Sequence, residues 1–212
     1  VKYVHGAMDE TEFDAFLSRY FRFLGARESR PVSRENYLAR AKELYLTKTR
    51  TRLDALKCEP KFAPVAALIQ SGTAIGDVDK AYERYQSLYE QIIKKSDLDF
   101  REVIGHGDAC LSNILFDHAS RTLKLIDPKG AMIEEELWTN PYYDLCKLSH
   151  SVIGCYDFFN SGLYEISLDE SLRLSLSIPF DNTRYAAALR MHMAQNGFDY
   201  AFARICEAGL FL

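Results

Sequence analysis

Between Val103 and Gly130 the chain reads V-I-G-H-G-D-A-C-L-S-N-I-L-F-D-H-A-S-R-T-L-K-L-I-D-P-K-G. Asp108, Asn113 and Asp127 carry the hard oxygen atoms that Mg²⁺ prefers, and Asp108 is also a candidate base for a hydroxyl proton. Four residues separate Asp108 from Asn113. Beyond Asn113, the apolar Ile114-Leu115-Phe116 and Leu123 to Ile126 flank a polar turn from Asp117 to Thr122, the pattern of a β-hairpin. A hairpin there places Asn113, at the start of one strand, beside Asp127, at the end of the other. Those two side chains are then placed to share one Mg²⁺, with Asp108 a loop away and facing a substrate hydroxyl.

The order H-G-D-x-x-x-x-N-I-L, hairpin, I-D resembles the small-molecule kinases of the choline-kinase and aminoglycoside-phosphotransferase type, relatives of the protein kinases. His106-Gly107-Asp108, Asn113 and Ile126-Asp127 carry the resemblance, supported by Tyr143-Asp144-Leu145, and it covers residues 100 to 160 well. It implies an α+β, predominantly α fold: a kinase-like C-terminal lobe with a small catalytic β-hairpin. It also implies ATP or another NTP with Mg²⁺ as cofactors, Asp108 as the catalytic base, and His106 as the residue that holds the catalytic loop. Asn113 and Asp127 become the metal ligands, Lys129 a phosphate contact, and Asp144 an anchor that hydrogen-bonds the loop. Two departures stand out. D-P-K-G replaces the usual D-F-G or acidic continuation, and Gly107 replaces the arginine that reads activation-loop phosphorylation in protein kinases, which favours a constitutive small-molecule enzyme. D-P-K-G with P-Y-Y-D-L and L-S-H-S also resembles a branch found in bacterial surface-polysaccharide proteins, where the acceptor is a sugar or polyol-like alcohol.

The elements that must position these residues are mostly helices. Asp9, Ser33 and Asp77 are N-cap candidates ahead of apolar stripes, such as Phe13, Phe16, Leu17, Tyr20 and Leu24, or Tyr82, Tyr85 and Tyr89. Residues 9 to 100 therefore read as helical, with the aromatic stripes as core. The basic stretch Lys48, Arg50, Arg52, Lys57 reads as a solvated helix face. Neither G-x-G-x-x-G nor G-x-x-x-x-G-K-[ST] occurs, so the glycine-rich lobe of a kinase is not visible in this chain. After the 103–130 catalytic segment and a loop to Thr139, Asn140 and Pro141 signal a helix start. Residues 163 to 178 alternate like a small hairpin, and two helices, near Thr183–Asn196 and Phe198–Ala208, close residues 140–212.

Bulk properties narrow the field. With 212 residues, 48% hydrophobic, the chain is expected to be one domain with a good core. A net charge of −4 argues against a nucleic-acid partner. Apolar runs are too short for membrane insertion. Five scattered cysteines without a C-x-x-C pair fit reduced thiols and a cytoplasmic location. An opening V-K-Y-V without methionine and a closing G-L-F-L suggest a fragment of a longer protein, with an upstream domain in the same polypeptide. The expected activity is transfer of phosphate from ATP to a hydroxyl of a small-molecule acceptor: a sugar, an amino alcohol or a related metabolite. Two alternatives stay open: an inactive kinase-like binding or scaffold domain, and a metal-dependent phosphohydrolase drawing on His106, Asp108, Asn113 and Asp127 with His150 or His192.

Overall fold

The structure, a computed structural model, describes residues 8–212; the V-K-Y-V opening lies outside them. It is α+β and predominantly helical, with short antiparallel sheets. The first helix, α1 (Glu10–Ala26), begins where the sequence signals it. The Asp9 side chain accepts a hydrogen bond from Glu12 N–H at 2.8 Å, and the Glu12 carboxylate accepts one from Asp9 N–H at 3.2 Å, a capping box. Its apolar stripe, Phe13, Phe16, Leu17, Tyr20, Phe21 and Leu24, is buried.

Ser33 caps a continuous helical rod made of α2 (Arg34–Lys42), a π-helical turn (Glu43–Thr47) and α3 (Lys48–Lys57). In the π turn the N–H of Lys48 reaches back five residues to the carbonyl of Glu43, which rotates the following side chains relative to a regular helix. After α4 (Phe62–Gly72), Asp77 caps α5 (Val78–Lys95) by accepting from Lys80 N–H at 2.8 Å. Tyr45, Tyr89 and Phe202 stack within 6.2–6.4 Å of one another and join the rod, α5 and the last helix, α9 (Tyr200–Ala208). The aromatic stripes are core.

A small sheet differs from the all-helical expectation for residues 9 to 100. Strand β1 (Ser29–Pro31) pairs antiparallel with β2 (Arg101–Ile104), in register Ser29 to Val103. The hairpin expected within residues 103–130 is β3 (Ile114–Asp117) and β4 (Thr122–Leu125), with Ile114 opposite Leu125. Strand β5 (Trp138–Thr139) pairs with the other edge of β2. Asn140 Oδ1 accepts from Tyr142 N–H at 3.0 Å in a turn that leads into α6 (Tyr143–Val152), so the helix starts after the predicted position. Helix α7 (Tyr156–Asn160), hairpin β6 (Glu165–Leu168) with β7 (Leu174–Ser177), α8 (Thr183–Gln195) and α9 complete the chain, as the spacing predicts for the last four. Among the described residues no helix is long and apolar enough to cross a membrane.

Candidate functional site

The loop from Gly105 to Asn113 is held from below by α6. Asp144, in the first turn of that helix and fully buried, accepts from the backbone N–H of His106 at 3.0 Å and of Gly107 at 2.8 Å. Arg27, at the end of α1, donates to Asp144 Oδ2 at 2.9 Å and to the Pro141 carbonyl at 2.9 Å. Burial pulls the Arg27 pKa below its ordinary value, against the opposing pull of Asp144. One carboxylate therefore ties α1, α6 and the Gly105–Asn113 loop together.

His106 ties the loop to the hairpin. A carbonyl only accepts and an amide N–H only donates, so two contacts define its ring. Nε2 donates to the Ile126 carbonyl at 3.0 Å, and Nδ1 accepts from Asp108 N–H at 3.3 Å. The neutral Nε2–H tautomer satisfies both. Acid–base work at either nitrogen would break one of these bonds, so His106 is a positioning residue.

Gly107 has φ 81°, and a Cβ there would lie 2.8 Å from the Cβ of Lys129. An arginine at this position would meet both the left-handed backbone and Lys129.

Asp108, Asn113 and Asp127 come out as follows. Asn113 Nδ2 donates to the Asp108 carbonyl at 2.9 Å and to Asp108 Oδ2 at 3.0 Å. Both partners are acceptors, so the amide orientation follows from chemistry, and Asn113 Oδ1 is left for another ligand. The N–H of Ile126 donates to the Asn113 carbonyl at 2.9 Å, extending the hairpin ladder by one pair. Asp127 follows immediately, exposed, with φ 58°. Aspartate is among the few residues that tolerate this left-handed conformation, and such outliers gather at functional sites.

Two oxygen donors at one hairpin end suit Mg²⁺, which keeps several waters and phosphate oxygens. Among the described residues no three His, Cys, Asp or Glu side chains form a metal-holding group. His150 is packed between Tyr156 and Phe211 at 4.3 and 4.2 Å between ring centroids, and His192 bonds Asp14 at 2.8 Å; neither joins His106.

Sequence reasoning missed Lys147. Its ammonium lies 3.1 Å from Asp108 Oδ1. Burial disfavours the charged amine, Tyr143 and Asp108 favour it more, and its pKa is raised. The signal was present: Lys147 lies three residues past Asp144, on the same helical face. The solvated-face expectation for residues 48–57 also needs correction. Arg50 and Lys57 do pair at the surface, with Asp54 and Asp79. Lys48 is instead half-buried, just after the π turn, its ammonium 5.5 Å from the centre of the Tyr143 ring.

Comparison of the chain with family models, curated proteins and solved structures found no match.

Proposed function

We propose that the chain is the catalytic, kinase-like C-terminal lobe of a small-molecule phosphotransferase, which moves the terminal phosphoryl group of ATP to an alcohol. The observation that carries this reading is the Asn113 amide clamped to Asp108 beside the end of the hairpin that bears Asp127. Asn113 and Asp127 would hold Mg²⁺, which when bound neutralises charge on the nucleotide phosphates. The acceptor oxygen attacks the γ-phosphorus, the bond from that phosphorus to the β–γ bridging oxygen breaks, and ADP leaves. The hydroxyl proton passes to Asp108.

Asp108 is well placed for that task. Its side chain is 42% exposed, yet Asn113 and Lys147 hold its two oxygens on the protein side. Catalysis here is positioning plus charge neutralisation, and the loop is fastened by Asp144 and His106 for that purpose. Lys129, whose N–H donates to the His106 carbonyl at 2.9 Å, borders the same loop and contacts a phosphate.

The test is transfer of labelled γ-phosphate to a panel of sugars, polyols and amino alcohols. Asp108→Asn should lower turnover by about 10²–10⁴ while leaving the melting curve unchanged. Unchanged turnover would remove Asp108 from the chemistry.

A further inference from the structure

A groove of about 720 Å³ opens along the α2–α3 rod, and its wall includes Lys48, Thr51, Arg52, Glu102, Trp138 and Asn140. Glu102 and Glu135 are neutralised by Arg30 and Arg40, at separations of 2.8–2.9 Å for Glu102. Glu43 and Glu136 also line the wall. Among the described residues Lys48 and Arg52 of the wall, and Lys129 beside the Gly105–Asn113 loop, make no ion pair. Lys129 borders that loop, its N–H on the His106 carbonyl at 2.9 Å and its Cβ 2.8 Å from where a Cβ on Gly107 would lie. Lys147, itself paired with Asp108, reaches the Tyr143 ring at 6.0 Å, the same ring that Lys48 covers.

Half-burying like charges against one another is costly unless an anion is there to receive them. The cost shows on Lys48, whose pKa burial and the charges of Lys129, Arg52 and Lys147 push down to about 8. The π turn that immediately precedes Lys48 is itself a kind of helix irregularity common at functional sites.

We propose that Lys48, Lys129 and Arg52 form an anion subsite next to Asp108, and that the acceptor alcohol carries a phosphomonoester that seats there. A dianion is the match for two ammonium groups and a guanidinium without counter-ions. Seated so, the acceptor is oriented by its charged end while its free hydroxyl faces Asp108. This assignment rests on the phosphotransferase reading, and the nucleotide's own phosphates are the other source of the same chemistry.

The experiment is calorimetric titration of the full chain with inorganic phosphate, with glucose 6-phosphate and with glucose. Each is run on the wild type and on Lys48→Met, Lys48→Arg and Asp127→Ala, without nucleotide and with saturating ATP and Mg²⁺. Phosphate and glucose 6-phosphate should bind and glucose should not. Lys48→Met should weaken both by at least about tenfold, and Lys48→Arg should restore them. Asp127→Ala and saturating nucleotide should leave phosphate binding intact.

Three results would overturn the proposal: no phosphate binding, binding that Lys48→Met does not change, or binding that ATP with Mg²⁺ displaces, which would give the cations to the nucleotide. Lys48-dependent phosphate binding in a chain that binds no nucleotide would uphold the anion site and remove the transfer reading instead.

Discussion

Asp127 pays for its place with backbone strain, and a glycine there would not. Left-handed backbone costs a non-glycine residue on the order of 1 kcal/mol or more, while glycine loses more freedom on folding. Asp127→Gly should therefore leave the urea midpoint within about 1 kcal/mol of wild type and abolish Mg²⁺-dependent nucleotide binding. A large loss of stability would show that the carboxylate serves the fold. At this scale the placing of Asn113 and Asp127 at one hairpin end was legible because spacing around a hairpin is itself geometric information. Lys147 and Lys48 were harder to see. Lys147 meets Asp108 only because α6 packs under the loop, and Lys48 follows a π turn for which the run of ordinary helix formers around it carries no mark.

Among the elements, α6 has the heaviest duty. Asp144 and Arg27 are buried, with 0% and 3% of their side chains exposed, and removing one partner strands the other. Asp144→Ala should cost about 3–5 kcal/mol in urea unfolding, and adding Arg27→Met should recover part of it. Full additivity of the two would mean the pair is not coupled.

The same helix makes stability depend on pH. His150 is buried against Tyr156 and Phe211. Burial, then the charge of Lys147, lower its pKa to about 4, against a weaker upward pull from Asp108. Its unfolded value is near 6.5, so the unfolded chain binds the extra proton first, and stability falls as pH drops from 6.5 toward 4. Between pH 7 and pH 5 this one group removes roughly 2 kcal/mol. His150→Phe should flatten that difference; an unchanged acid limb would place the sensitivity elsewhere. The helix caps at Asp9, Ser33 and Asp77 were readable because capping is local. The sheet β1–β2–β5 was not, since strands of two to four residues are too short to show alternation and are made by their partners.

For the whole molecule, the predominance of helix and the aromatic core followed from apolar periodicity, and the structure has both. That Asp144 hydrogen-bonds the loop was implied by the resemblance, but that α1 joins them through Arg27 was not visible, because Arg27 and Asp144 are 117 residues apart and nothing local links them. The central claim is that this assembly presents a metal–nucleotide site. Calorimetric titration of ATP into the chain, with and without Mg²⁺, tests it most directly. The account predicts saturable binding that requires Mg²⁺ and disappears in Asp127→Ala. Binding that is indifferent to metal and to Asp127, or no binding in either condition, would contradict it.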